Sequence, residues 1–141
     1  MEKNCEREDH VTVYLAIESV ELKPSELTRL LGVPPDREWL IGSERGRTGK
    51  LWDRSGWIVE TEARSEDSQC RPASELIPIA IANFERKVAP FSKMAAALGT
   101  SVERCAVLAI VSEQIPGIQF SHSFLKLLSD LDGTFQIDLM A

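Results

Sequence analysis

Hydrophobic positions follow the period of two, or the unbroken apolar run, that is typical of β-strands in four segments of the chain. In the first segment, Val11, Val13, Leu15 and Ile17 fall on one face of an extended chain. The segment 104–111 is almost wholly apolar, as expected of a central strand. The pattern predicts strands over 11–17, 56–62, 104–111 and 134–140, and a short additional strand over 118–120.

Apolar residues at helical spacing lie between these strands. A first helix is predicted over 24–31, because Pro24 suits a first helical turn and Gly32 suits the left-handed position that ends a helix. A second helix is predicted over 74–88, where Pro78 favours a regular start nearer residue 78. Two further helices are predicted over 90–98 and 121–131.

A short internal repeat relates the two halves of the chain. The segment LAIES at 15–19 is similar to LAIVS at 108–112, and each copy precedes a leucine-rich helix and an alternating strand. We therefore predict an α/β (α+β) domain with ferredoxin-like tandem β-α-β halves, whose mainly antiparallel sheet carries helices on one face. The helical segment 74–98 is then an insertion between the halves. Chance similarity between apolar strands is the alternative explanation of the repeat.

The length of 141 residues supports one domain. Residues 1–9 are polar and lack periodicity, which predicts a flexible N-terminal tail, and residues 10–141 are predicted to form the single domain. The charged start lacks the apolar core of a signal peptide, and no apolar run approaches the roughly 20 residues of a membrane-spanning helix. We therefore expect a cytoplasmic protein with no membrane partner.

Charge and cysteine usage narrow the chemistry. The chain has 16 basic and 22 acidic side chains, a net charge of −6, which disfavours nucleic acid as a partner of the whole surface. Its three cysteines, Cys5, Cys70 and Cys105, include no Cys-x-x-Cys pair. We expect reduced thiols, with Cys105 as an inert core thiol, and no metal site or cofactor.

The loop 33–54 carries the most distinctive chemistry. It is rich in glycine and lacks periodicity, and long ordered loops are often functional. Its segment 45–54 has four bases and one acid, or +3, which leaves −9 for the remaining chain. Arginines bind carboxylates or phosphates, glycines allow close approach and tryptophans offer stacking faces. The candidate binding residues are Trp39, Gly42, Arg45, Arg47, Lys50, Trp52 and Arg54.

A structural role for the same residues is the alternative. Trp57 alternates inward on its strand and is expected in the core, and Trp39 is expected to cover the core beneath the loop. The arginines can instead pair with the acidic surface of the protein itself. No residue is assigned a catalytic role: the phosphate-loop motif fails at Glu44 and Leu51, and Ser121 beside His122 is expected to cap a helix.

Several motifs together resemble the DUF4279 domain family, an uncharacterised and mainly bacterial group. The helix signature is the run LKPSELTRLLG at 22–32, followed by Pro34 or Pro35. The elements WLIG at 39–42 and SGW at 55–57, and the closing FQID at 135–138, are similar to further family features. The resemblance covers residues 11–140 and implies a small α/β domain without an established activity. It supplies no catalytic residue.

Three functions fit these observations. Acidity, size and the lack of a catalytic constellation favour an interaction module, such as an immunity- or inhibitor-like partner of another protein, with the partner presenting an acidic patch. The alternative is a binder of an anionic small ligand or of nucleic acid through the loop 39–54. An enzyme with a site assembled from distant residues is disfavoured. The identity of the partner and the oligomeric state stay open.

Overall fold

The structure is a computed structural model in which residues 9–65, 71–114 and 116–140 are described. These residues contain one five-stranded sheet, with strands in the order β2-β3-β1-β4-β5. The strands are β1 (His10–Ser19), β2 (Arg37–Trp39), β3 (Ser55–Arg64), β4 (Glu103–Val111) and β5 (Thr134–Met140). All four long strands were predicted. The predicted strand at 118–120 is wrong, since these residues have no regular structure but place Ile118 and Phe120 against the core.

The helices are α1 (Pro24–Leu31), α2 (Ala73–Val88), α3 (Ser92–Ala97) and α4 (His122–Leu131). Gly32 ends α1 in the left-handed conformation, with φ of 76°, as the sequence predicts. Helix α2 begins at Ala73 and runs through Pro78, rather than starting near residue 78. Proline at that position lies beyond the first turn, so α2 continues without the hydrogen bond that an amide at residue 78 would donate to the carbonyl oxygen of Ser74. None of these helices is long and apolar enough to cross a membrane.

The helices cover one face of the sheet and leave the other open. Val11, Val13, Leu15 and Ile17 are fully buried beneath the helical layer, which confirms the predicted alternation. The intervening side chains of β1, such as Thr12 and Tyr14, are half-buried on the opposite face, which we call the open face. Cys105 pairs with Ala16 in the sheet and is also half-buried on the open face. The prediction of a core thiol is therefore wrong; Cys5 and Cys70 lie outside the described residues.

The α/β (α+β) class is confirmed, with a mixed sheet in which three of four strand pairings are antiparallel. The helical insertion is also present, since α2 and α3 lie between β3 and β4. The ferredoxin-like superposition of two halves is wrong. The strands of the first half, β1 and β3, are antiparallel neighbours, whereas those of the second half, β4 and β5, are parallel neighbours. The two segments of the repeat are similar because β1 and β4 both lie inside the sheet, where apolar residues are required.

Candidate functional site

The candidate residues lie mostly on one projecting segment, residues 40–54, which we call the arm. Backbone hydrogen bonds join its two sides: the amide of Gly42 donates to Trp52 at 2.8 Å, and that of Arg45 donates to Lys50 at 2.8 Å. The amide of Trp52 completes the ladder by donating to Ser43 at 2.9 Å. The arm is therefore an irregular hairpin with its tip at 45–50. Sequence periodicity missed it because the paired stretches are too short to alternate.

An aromatic stack fixes the arm to the sheet. The rings of Trp39 and Trp52 lie 4.3 Å apart at an angle of 22°, and the guanidinium of Arg45 lies 4.7 Å from the Trp52 ring. Because Trp39 covers one face of Trp52, Arg45 covers the other. At its inner end the stack rests on Gly56 of β3, where an added Cβ would overlap the Trp39 ring. Only glycine permits this close approach at the edge of the sheet.

The base of the arm is tied down by polar contacts. The indole Nε1 of Trp39 donates to the carbonyl oxygen of Arg54 at 2.9 Å, and the amide of Ile41 donates to Ser55 Oγ at 2.9 Å. The side chain of Arg54 forms an ion pair with Glu103 of β4. Thus Arg54 links the arm to a second strand of the sheet and is already neutralised within the chain.

The tip of the arm presents the remaining cations. Arg47 and Lys50 are exposed, and their side chains form no hydrogen bond or ion pair with any residue that the structure describes. The turn that carries them is nevertheless ordered, because Thr48 Oγ1 donates to the carbonyl oxygen of Arg45 at 2.7 Å. Gly49 adopts φ of 73°, which glycine occupies without strain.

The arm also carries exposed aliphatic side chains: Leu51 follows Lys50 near the tip, and Leu40 and Ile41 lie at the base. Leu40, Ile41 and Leu51 are 51%, 45% and 61% exposed. Arginine is enriched in protein contact surfaces, and the buried centre of such a surface is more apolar than its rim. The arm therefore combines a rigid support, two unpaired cations and a small apolar area.

The structure brings Trp39, Trp52 and Arg45 into direct contact and places Gly42 at the start of the arm with φ of 86°. It separates Arg54, at the base, from Arg47 and Lys50 at the tip. Trp57 is fully buried, as predicted, and its Nε1 donates to Thr28 Oγ1 at 3.1 Å. Trp39 lies above the edge of the open face at Gly56 rather than over the helix-covered core.

Sequence reasoning did not single out Arg104 of β4, a cation outside the arm. It is 8% exposed, and its guanidinium donates only to backbone carbonyl oxygens: those of Leu131 at 2.7 Å, Gly99 and Asp132 at 3.0 Å, and Ala95 at 3.2 Å. These carbonyls lie at the C-terminal ends of α3 and α4, where partial negative charge accumulates. Arg104 therefore joins two helix ends to the sheet, and its role is structural.

The serines beside His122 do not form a nucleophilic site. Ser121 Oγ accepts a hydrogen bond from the amide of Phe124 at 3.2 Å, which confirms the predicted cap of α4. Ser123 Oγ donates to the carboxylate of Glu85 at 3.1 Å. His122 is exposed and forms no hydrogen bond within the described part of the chain. A groove of about 330 Å³ opens nearby, between the ends of α2, α3 and α4, and its walls carry Lys93, Lys126 and Asp130.

Three of the described titratable groups outside the arm have shifted pKa values, and one of them is His10, whose pKa is lowered by burial and by the nearby charge of Arg64. Burial raises the pKa of Tyr14 on the open face, and Asp138 and Cys105 add to that rise. Burial also favours the neutral form of Asp36, but the hydrogen bonds from Lys87 Nζ and the Glu60 amide, both 2.7 Å, outweigh it and leave the pKa lowered. Lys87 belongs to α2, so this carboxylate joins α2 to β3.

Comparison with known proteins gives one match. A family model described as "Domain of unknown function (DUF4279)" matches residues 9–141. No curated protein and no solved structure matches the chain. The match begins at Asp9, whose Oδ2 accepts hydrogen bonds from the amide of Ala73 at 2.8 Å and from Ser112 Oγ at 3.0 Å. Residues 1–8 lie outside the described residues.

Proposed function

The chain belongs to the DUF4279 family, and we propose that it is a binding module whose arm docks on an acidic, partly apolar surface of a partner protein. The observation that supports this proposal most directly is the exposure of Arg47 and Lys50 at the tip of the arm. A tryptophan stack fixes this arm to the sheet. Fixing the arm before binding reduces the entropy lost on association. An inhibitor-like protein, which occupies a surface of its partner without performing chemistry, fits this description.

The composition of the arm favours a protein over a nucleic acid. A base would need a free aromatic face, but Trp52 is covered by Trp39 and Arg45, and Trp39 lies between Trp52 and Gly56. The exposed Leu40, Ile41 and Leu51 would gain nothing beside a phosphate backbone, whereas they can bury apolar area against a protein. A small anion would contact the two cations and leave the aliphatic side chains in water.

Affinity capture from a lysate of the source cells, with matched baits, tests the proposal. The baits are the wild-type chain, the Arg47→Ala/Lys50→Ala variant, and a control variant, Lys93→Ala/Lys126→Ala, that removes two exposed cations from the opposite helical layer. We expect at least one protein to be captured by the wild type and the control but lost from the arm variant. Nuclease treatment of the lysate keeps nucleic acid from bridging the contact.

Two results would contradict the proposal. If every captured protein binds the arm variant as well as the wild type, the arm is not the contact surface. If nuclease treatment abolishes the arm-dependent capture, the ligand is a nucleic acid rather than a protein. The melting temperatures of the three baits should agree closely, since none of the four substituted side chains forms a hydrogen bond or ion pair in the described structure.

A further inference from the structure

Strand β5 is a long and poorly protected edge of the sheet. Among the described residues it pairs with β4 on one side and with no strand on the other. Over its seven residues Asp138 is the single charge, and it contains no proline. Ile137 and Leu139, whose side chains lie on the helix-covered face, remain 40% and 51% exposed because the helical layer does not reach this far. Natural sheets usually shield such edges with charge, proline or a covering segment.

The opposite edge of the sheet shows the contrast. Strand β2 has three residues, of which Arg37 and Glu38 are charged, and the Trp39 stack closes its end. A short, charged edge offers few free backbone groups to another chain. Edge protection is therefore confined to one side of the molecule.

The backbone groups that β5 leaves free can be identified. The carbonyl oxygen of Met140 accepts a hydrogen bond from the Ser112 amide, which follows β4, at 3.0 Å. The amide and carbonyl of one strand residue point the same way, and the direction alternates along the strand. Even-numbered residues of β5 therefore face β4, and Phe135, Ile137 and Leu139 direct their amides and carbonyls outward.

We propose that two copies of the chain associate through antiparallel pairing of β5 with β5, about a two-fold axis at Ile137. This register places Ile137 opposite Ile137 of the second copy and Phe135 opposite Leu139 of the second copy. All three outward-directed residues then form hydrogen-bonded pairs, each of which exchanges two bonds. The apolar side chains meet on one face, and the two sheets join into one.

Side-chain complementarity supports the same register. Gln136 and Asp138 lie on the open face and are joined within one chain by a 2.6 Å hydrogen bond from the amide to the carboxylate. In the proposed dimer Gln136 of each copy lies opposite Asp138 of the other. The two-fold axis therefore generates two such pairs, and each carboxylate meets an amide donor. A register centred on Asp138 would instead oppose two carboxylates, and one centred on Gln136 would pair fewer of the outward-directed residues. A shift by one residue would bring apolar and polar faces together.

Sedimentation equilibrium of the whole chain, from about 1 μM to about 500 μM, tests the dimer. The wild type should show a monomer–dimer equilibrium. Gln136→Lys should tighten association and Gln136→Glu should weaken it, each by roughly 2- to 30-fold, because the cross-strand pair with Asp138 occurs twice. Both substitutions are at an exposed position, so folding should be retained.

Ile137→Lys provides a stronger perturbation, because it opposes two like charges at the axis, and should yield a monomer. The matched control is Leu125→Lys, at an aliphatic residue that is 50% exposed and belongs to α4 rather than to β5. The proposal is overturned if the wild type is monomeric throughout, or if Ile137→Lys is folded and dimerises normally. Weaker association of Gln136→Lys would overturn the Ile137-centred register. If Ile137→Lys fails to fold, the two Gln136 variants test the dimer without it.

Discussion

At the scale of single residues, two arginines have opposite roles. Arg104 and Arg47 are both arginines without a carboxylate partner among the described residues, yet one is buried against helix ends and the other is exposed at the arm tip. A clue to Arg104 was present in the sequence. It shares the alternation of Ala106, Leu108 and Ile110, so it had to face the core. Which acceptors it meets there depends on helix packing and is not encoded locally.

Replacement of Arg104 by methionine should destabilise the fold. The substitution keeps much of the apolar stem but leaves the carbonyl oxygens of Leu131, Asp132 and Gly99 without their charged donor. We expect a loss of about 2 to 4 kcal/mol in the free energy of unfolding, measured by urea denaturation. Arg29→Met, at an exposed position of α1, is the control and should change stability by less than about 0.5 kcal/mol. Equal stability of the two variants would show that Arg104 does not join the helix ends.

At the scale of elements, the tryptophan stack determines whether the arm is a defined surface or a flexible loop. Three tryptophans near one another in the sequence indicated chemistry in this region. The sequence did not distinguish stacking on a ligand from stacking on the protein, because both uses require the same residues. The short approach of Trp39 to Gly56 depends on the pairing of β2 with β3, two strands separated by the arm itself.

Removal of the stack should loosen the arm while leaving the domain folded. Trp52→Ala removes the partner of both Trp39 and Arg45. We expect trypsin to cleave after Arg47 and Lys50 roughly tenfold faster than in the wild type, since an aromatic pair contributes about 0.5 to 1.5 kcal/mol beyond its buried area. Leu51→Ala, which alters an adjacent side chain that is 61% exposed, is the control. Equal cleavage rates in Trp52→Ala and wild type would mean that the stack does not order the arm.

The attachment of α2 to β3 through Asp36 and Lys87 gives the fold a specific response to acid. The pKa of Asp36 is lowered from its ordinary value of 3.8, so its stabilising contribution is complete above that value and is lost as pH falls through the lower folded pKa. Asp36→Asn should therefore be less stable than the wild type at neutral pH, and the difference should shrink below pH 3.8.

Thermal unfolding of both proteins across that pH range measures the effect. Asp53→Asn, at an exposed carboxylate without a hydrogen bond or ion pair in the described structure, serves as the control for the loss of one negative charge. A stability difference between Asp36→Asn and wild type that persists unchanged at low pH would show that the Asp36 charge is not responsible. Both side chains of the pair are 38% exposed, so solvent screening keeps the effect small.

At the scale of the whole molecule, periodicity predicted the long strands and the buried face but not the order of strands. Burial dictates which residues are apolar, so β1 and β4 look alike although their pairings differ. Strand direction depends on the connections, which carry little periodic signal. The arm and β2 reverse the chain before β3, whereas α4 crosses over and makes β5 parallel to β4. The mainly antiparallel sheet was therefore predictable, and the two unequal halves were not.

Charge is also distributed unevenly over the molecule. The segment 45–54 has a net charge of +3 within a chain of −6. Arg54 is neutralised by Glu103, so Arg45, Arg47 and Lys50, which are all exposed, carry the accessible part of this charge. The fold thus places these three cations close together at the tip of one hairpin. Such a tip would attract an acidic partner.

The affinity of a captured partner for the wild type and for Arg47→Ala/Lys50→Ala, measured by calorimetry at low and high salt, tests the central claim most directly. We expect the wild type to bind more weakly as salt rises, because screening acts over about 10 Å at 0.1 M. The variant should bind at least about tenfold more weakly at low salt, since close charge pairs across an interface couple by about 1.5 kcal/mol or more. It should also respond less to salt and keep the melting temperature of the wild type. Equal affinity and an equal salt response in the two proteins would contradict the assignment of the arm as the binding surface.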